Sequence, residues 1–443
     1  MRLLPRRSGR SMSWFLLAVL AAVGVWWGYK QWRQAVARVD PVLMGELQNA
    51  VLAAPVAAES NDWPQWRGPR RDGLSLETGL LDRWPEAGPK LVWQAPVGAG
   101  YSALAVADGR AITLFQDGDS EAVVCWDAET GKERWRFRYP CRYVNDFGNG
   151  PRSTPTISGD LIFAVGATGM MHCLKADTGE KVWVRDLLRD FGAENLQWGV
   201  SFSPLVEGGL VYTNPGGPNG RSLAAFHKAD GKLAWAALDD VAGYSSPIAV
   251  TAAGKRQVVF FTGKRLVGVD PVTGSLLWSY PWETDYDANI ATPIAVGDYL
   301  FISSGYDRGC ALLKVVAEQG TFRIQRVYEN THMRNHFASC VYYNEHLYGF
   351  DEATLTCMEF RSGTVRWRER GFRKGSLTIA DGKLFVLSEN GRLALADASP
   401  EAYRERSSYR FSHGKCWTVP VLCRGKLYLR DEEKVVCLDV KKP

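Results

Sequence analysis

Over residues 153–187, "STPTISGDLIFAVGATGMMHCLKADTGEKVWVRDL", short apolar runs alternate with clusters of turn residues. The pattern predicts four strands, "STPTI", "LIFAVG", "MMHCLKA" and "KVWVRDL". Turns fall at Ser158-Gly159-Asp160, Ala167-Thr168-Gly169 and Asp177-Thr178-Gly179. Glycine in each supplies the positive φ that a tight connection needs. Four short antiparallel strands in about 40–50 residues make one blade of a β-propeller.

The same pattern returns along the chain. Its most visible mark is Gly-x-x-x-Trp, in "TGKERW" (Trp135), "TGEKVW" (Trp183), "DGKLAW" (Trp235), "TGSLLW" (Trp278) and "SGTVRW" (Trp367). The intervals are 48, 52, 43 and 89 residues, so the last hides a degenerate copy around "KVVAEQGTFRIQRVY". Eight units open at Ser102, Ser153, Ser203, Ser246, Thr292, Ser339, Ser376 and Thr418. The final unit has only three strands before the chain stops. Its fourth is expected from "PKLVWQAPV", where Trp93 falls in the repeat's tryptophan phase. Pairing the first strand with the last closes a ring and removes an open edge. The expected fold is therefore all-β, an eight-bladed propeller of four-stranded antiparallel blades. Trp93, Trp135, Trp183, Trp235, Trp278 and Trp367 are its structural wedges, each bridging neighbouring sheets.

The amino end is different. Arg6, Arg7 and Arg10 precede the apolar run "SWFLLAVLAAVGVWWGY", residues 13–29. Seventeen residues at about 1.5 Å each reach roughly 25 Å, enough to cross a thin bilayer. The run predicts a transmembrane signal anchor, with residues 1–12 as a basic cytoplasmic tail. A cleaved signal, with "AVA" at 35–37 as its cleavage site, is the alternative. Either way, the propeller over 61–443 lies outside the cytoplasm, in a periplasm-like space. Residues 30–60 read as a linker holding it off the membrane, with a short amphipathic helix over 42–54. "DWPQWRGPRRDGL" is expected to strap along the outside of the ring.

Charge alters one inference. The chain is formally +5, yet residues 1–38 hold seven Lys and Arg and no acid. The remainder has 46 basic against 48 acidic residues, which leaves no basic footprint for nucleic acid. Nine cysteines contain no C-x-x-C pair. Cys125, Cys173, Cys357 and Cys437 share one repeat phase, as small buried apolar residues do.

The repeats "DAETGKERW", "KADTGEKVW" and "DPVTGSLLW" resemble the tryptophan-docking repeats of the pyrroloquinoline-quinone (PQQ) β-propellers. That superfamily holds the quinoprotein alcohol dehydrogenases and the outer-membrane assembly factor BamB, and the resemblance covers about residues 90–440. Longer stretches such as "NDWPQWRG", "WGVSFSPLVEGG" and "GKCWTVPVL" are similar to a PQQ-binding-like subgroup of planctomycete-type bacteria. Two departures matter. No Cys-Cys pair occurs, although many of the dehydrogenases carry one at the cofactor. The first cysteine is Cys125, so no lipid-bearing cysteine directly follows the apolar run.

Loops joining one blade to the next all emerge at one end of a propeller, and here they are long. The residues leading into the inner strands are expected to line a funnel mouth: Arg152, Tyr244, Asn289, His336, Lys374 and Trp417. Trp198, Arg334, Asn335 and Lys415 stand nearby. Such a mouth suits a planar anionic ligand, with cations for carboxylates and rings for stacking. Asp146, Asp285 and Asp287 are candidate partners for those cations. "HMRNH" spaces His332 and His336 as zinc proteases do, but Met333 stands where a general-base Glu is needed, so no metal site is expected. No nucleophile–base constellation appears. The reading is a monomeric binding or scaffold module for an envelope protein or small anion. The alternative the resemblance implies is a PQQ- and Ca²⁺-dependent dehydrogenase of alcohols or sugars.

Overall fold

In the computed structural model, residues 40–49 and 61–443 are described. Thirty-two strands form eight four-stranded sheets. Seven blades are sequential hairpin sheets, spanning residues 105–140, 156–186, 205–237, 248–281, 294–330, 341–369 and 375–410 (blades 1–7). Blade 8 joins 421–439 to the first strand. Lys90–Pro96 pairs antiparallel with Lys434–Asp439 and sets Trp93 opposite Cys437, so the expected closure is present. Buried Arg430 adds to the seam, donating from Nη1 of blade 8 to the carbonyls of Ser102 (3.0 Å) and Leu114 (2.8 Å) in blade 1.

Hydroxyls at the blade openings tie the inner strands together. The backbone N–H of Thr154 donates to Ser203 Oγ, that of Ser203 to Ser246 Oγ, and that of Thr292 to Ser339 Oγ, each at 2.9 Å. A small side chain fits this crowded axis and satisfies a backbone donor that the short inner strand leaves unpaired.

The tryptophans dock across blade boundaries. Nε1 of Trp93, Trp135, Trp183, Trp235 and Trp367 donates to a carbonyl of the next blade: Ala128, Ala176, Lys228, Pro271 and Ser399, at 2.8–3.0 Å. The glycine of each motif makes room for the preceding blade's ring, not its own. A Cβ on Gly131 would stand 2.6 Å from Trp93, and one on Gly179 2.5 Å from Trp135. Both sit at positive φ, so one residue meets two demands. Trp278 departs from the pattern. Its indole lies back over Gly268 of its own blade and donates to Gln257 Oε1 at 2.6 Å. The degenerate copy is blade 5, where Tyr328 replaces the indole.

The segment expected outside the ring lies across its axis instead. Trp63 pairs with Val106 of blade 1, and Pro64 accepts from Ile157 of blade 2. Arg71 Nη1 donates to Ser203 (3.1 Å) and Pro247 (2.8 Å), reaching blades 3 and 4. Trp66 Nε1 donates to Thr292 Oγ1 of blade 5 at 2.8 Å, and Arg67 Nη2 to the Cys340 carbonyl leading into blade 6 at 2.6 Å. Leu74 pairs with Ile379 of blade 7, and Glu77 accepts from Arg424 and Gly425 of blade 8. One strap, coiled through turns over residues 65–73, therefore touches all eight blades, and closes the channel at the end opposite the blade-to-blade loops.

Part of the expected spacer is also docked. Pro41–Asn49 is a helix whose Leu43 and Leu47 sit among Ile294, Tyr299, Tyr328 and Phe360 between blades 5 and 6. The candidate span at 13–29 lies outside the described residues. Among these, no helix is long and apolar enough to cross a membrane.

Candidate functional site

The blade-to-blade loops gather at one end of the ring, facing the hairpin turns between each blade's second and third strands. There the aromatic side chains contact one another in a chain around the mouth, whose ends are joined by one hydrogen bond to a backbone carbonyl. Tyr101 meets Trp417 at 5.0 Å between ring centroids, and Trp417 meets Phe337 at 5.3 Å. His336 contacts Phe337 on one side and Tyr306 on the other, at 6.3 and 4.9 Å. Tyr306 lies parallel to Trp198, which meets Phe147 edge-on at 6.0 Å. The Phe147 carbonyl then accepts from Tyr101 Oη at 3.2 Å and joins the two ends. Tyr244 and Tyr286 pack on Trp198 at 5.4 and 5.9 Å. Phe147 and Tyr286 remain 55% and 62% exposed, so these rings rise to a crest on the solvent side.

The other sequence-predicted residues divide by depth. Asn289 is buried: its Nδ2 donates to the carbonyls of Thr262, Gly263 and Trp282, and its Oδ1 accepts from Ser304. Asn335 is buried too, donating to Phe350 and accepting from the Cys340 N–H. Both amides hold loops in place and present nothing to a ligand. Arg334 is held by Asp351 (2.6 Å) and Asp307 (3.0 Å), partners different from the aspartates considered above. Lys374 stands 3.9 Å from Glu352; burial lowers the lysine's pKa and raises the glutamate's. Burial, with Lys374 nearby, holds His336 down at about 4, so its ring is neutral at physiological pH.

Arg152 and Lys415 have no carboxylate partner among the described residues. Arg152 donates to the carbonyls of Gly148 and Gly150 and lies over Tyr143 at 4.7 Å. Lys415 Nζ donates to the Phe147 carbonyl at 2.9 Å and lies over Trp417 at 4.5 Å. Both cations pin the loop that carries Phe147. Trp417 in turn donates to Glu389 at 3.2 Å.

Sequence reasoning missed Tyr101, Tyr143, Phe147, Tyr286, Tyr306 and Phe337. The available signal was an aromatic residue in nearly every loop at this end. A second concavity, of about 300 Å³, lies at the far end between the strap and blades 4 and 5. Its cations are engaged, Arg70 by Asp72 and Arg256 by Glu207.

The pattern of the family described as outer membrane protein assembly factor BamB matches residues 78–186 and 144–369, well over half of the sequence. The chain belongs to that family. It is 24% identical over 292 residues to the BamB of Yersinia pestis, covering 63% of this chain and 71% of the relative. To the BamB of Shewanella oneidensis it is 25% identical over 260 residues, covering 56% and 64%. Among solved structures, Moraxella catarrhalis BamB superposes with a TM-score of 0.53 at 14% identity, over 78% of this chain and 97% of that one. The quinohemoprotein alcohol dehydrogenase of Comamonas testosteroni gives 0.62 at 12% identity, over 94% and 85%. At such identities the structures speak to fold alone. These relatives give no support to the narrower planctomycete-type subgroup.

A quinone with Ca²⁺ does not fit the mouth. Ca²⁺ takes six to eight oxygen ligands, and no cluster of three or more His, Cys, Asp or Glu stands together among the described residues. Asn289 and Asn335 are engaged within the protein, Arg334 is ion-paired, and the rings that could stack on a planar cofactor stack on each other. His332 and His336 also part company, His332 Nδ1 lying 2.8 Å from the Gly363 carbonyl while His336 packs on Tyr306.

Proposed function

We propose that the protein is a scaffold of the cell envelope that binds a protein partner through the aromatic crest of its mouth end. One observation carries the reading: Phe147, Trp198 and Tyr286 form a contiguous, partly exposed aromatic ridge on a ring whose axis its own strap fills. Val144 and Val241, in the loops at the same end, are also exposed, 64% and 45%. Large exposed apolar groups on a rigid support mark interaction surfaces, and aromatic residues dominate binding energy there. The names of the relatives support an envelope setting, and the apolar run at 13–29 supplies the tether. Arg152 and Lys415 give the ridge a cationic flank, which favours a partner with acidic side chains.

The test is co-purification of the full chain from its own membrane, compared with a Phe147→Ser, Trp198→Ala, Tyr286→Ser variant. The variant is expected to keep the propeller fold, with a lowered melting temperature, and to lose the partner. Unchanged recovery of the partner would contradict the reading, as would saturable, Ca²⁺-dependent binding of PQQ.

A further inference from the structure

Blade 1 carries an arginine ladder on its outer strand, Arg134, Arg136 and Arg138, placed around the docking Trp135. Blade 6 repeats it at the same offsets around Trp367, as Arg366, Arg368 and Arg370. In blade 1 every member is neutralised: Arg134 by Asp127 at 2.6 Å, Arg136 by Glu133 at 2.7 Å and Arg138 by Asp117 at 2.7 Å. In blade 6 the matching carboxylates are missing or engaged. Val365 stands where blade 1 has Glu133. Asp351, the counterpart of Asp117, is held by Arg334 at 2.6 Å and lies 3.7 Å from Arg368. Glu359, the counterpart of Asp127, accepts from Ser362 Oγ at 2.7 Å. Among the described residues Arg366 and Arg370 form no ion pair. All three arginines are exposed, and so is Arg373 in the loop that follows.

The chain joins the ring beside this ladder. The Asp40 N–H donates to the Val327 carbonyl, in the outer strand of blade 5, at 2.9 Å. The Leu47 carbonyl accepts from Arg361 of blade 6. The point of arrival is therefore the circumference at the boundary of blades 5 and 6, and neither end of the axis. Ten residues, 30–39, separate Asp40 from the apolar run at 13–29, and ten residues span at most about 35 Å. A bilayer that holds the run lies within that reach of this side wall.

Given the tether reading of residues 13–29, on which this rests, we propose that blade 6 lays its outer strand on the bilayer surface, with Arg366, Arg368 and Arg370 on anionic lipid headgroups. The guanidinium fork matches phosphate geometry, and each basic side chain at an anionic surface strengthens attachment about fivefold. The ring then stands on edge, its axis along the membrane plane. The aromatic crest faces sideways, toward a partner held in the same membrane.

The experiment is energy transfer from a dye on the full chain to an acceptor lipid, in vesicles of phosphatidylcholine and in an equal mixture of phosphatidylcholine and phosphatidylglycerol. All nine native cysteines are buried, so a thiol dye reports an introduced one. It is placed by Thr364→Cys, two residues from Arg366, or by Glu180→Cys, the same position of blade 2 on the opposite side of the ring. In the mixed vesicles transfer is expected to be strong from position 364 and weak from position 180. High salt, or vesicles of phosphatidylcholine alone, is expected to lower transfer from position 364 while the chain still floats with the vesicles. The combined change Arg366→Gln, Arg368→Gln, Arg370→Gln is expected to lower the ratio of docked to undocked rings about a hundredfold, with an unchanged melting temperature. A chain that floats with both vesicles yet shows equal transfer from the two positions, or is unaffected by the triple change, would overturn the proposal and leave the tether standing. Transfer from position 364 that requires native membrane proteins would overturn it in favour of an acidic protein. A chain that floats with neither vesicle would remove the tether and the proposal together.

Discussion

Tyr328 Oη donates to the Phe360 carbonyl at 2.9 Å, the bond that five other blades make with an indole N–H. Blade 5 is therefore a full member of the ring despite lacking its tryptophan. Tyr328 is fully buried, and Gly363 of the next blade makes room for its ring as the motif glycines do elsewhere. Tyr328→Phe keeps the ring and removes one buried hydrogen bond, so about 1 kcal/mol of stability is expected to be lost. Trp135→Ala removes a whole wedge, at an expected cost of about 3–5 kcal/mol. Urea unfolding of both variants checks the ratio.

Blade 7 has Ser407 where the others have a ring, and the missing wedge comes from outside the repeat. The Trp84 N–H donates to Ser407 Oγ at 3.0 Å, and its side chain is buried against Phe385 between blades 7 and 8. Trp84→Ala is expected to destabilise the ring as much as loss of a repeat tryptophan does, about 3–5 kcal/mol. A loss below about 1 kcal/mol, the scale of a single hydrogen bond, would show that Trp84 is no wedge.

Much of this architecture was legible in the sequence because it repeats. The turn glycines, the tryptophans and the hydroxyls at each opening recur at fixed spacing, and closure by Trp93 followed from counting strands. The strap was not legible, because Arg71 and Arg67 bond backbone carbonyls, which every residue has. The mouth was partly legible. Position in the repeat placed Asn289 and Asn335 at the right end but could not give their depth. Nor could it show that Trp198 and Tyr306, from loops 108 residues apart, would meet face to face.

Arg71 is the strap's tie to blades 3 and 4. Burial lowers its pKa to about 9, still high enough to keep it charged at neutral pH. Arg71→Met leaves the carbonyls of Ser203 and Pro247 without their side-chain donor, and removes one of the two donors to the Pro204 carbonyl, the other being Thr156 Oγ1. An expected loss of about 2–3 kcal/mol follows from removing hydrogen bonds made by a buried charged group. Limited proteolysis is expected to cut first within residues 62–82. Cleavage at an unchanged rate would show that the strap is held otherwise.

Stability is expected to fall in mild acid. His172 is buried between Phe137 and Tyr139, and burial, with Lys181 nearby, brings its pKa down to about 4. The unfolded chain protonates it near 6.5, so unfolding takes up a proton between those values. Stability is therefore present above about pH 6.5 and is lost as pH falls toward 4, by up to about 3 kcal/mol from this residue. His172→Phe keeps the ring contacts and is expected to make the profile shallower over that window, leaving the part due to His336; an equally steep profile would assign the effect elsewhere.

The account turns on the mouth end being a contact surface. The most direct measurement is photo-crosslinking in the native membrane, with a benzophenone side chain at Tyr286 and, as a control, at Gln319 in the far-end hairpin of blade 5. The predicted result is one adduct of defined mass from position 286, absent when Trp198 is changed to Ala, and none from position 319. Adducts from 319 alone, or adducts at 286 that survive Trp198→Ala, would contradict it.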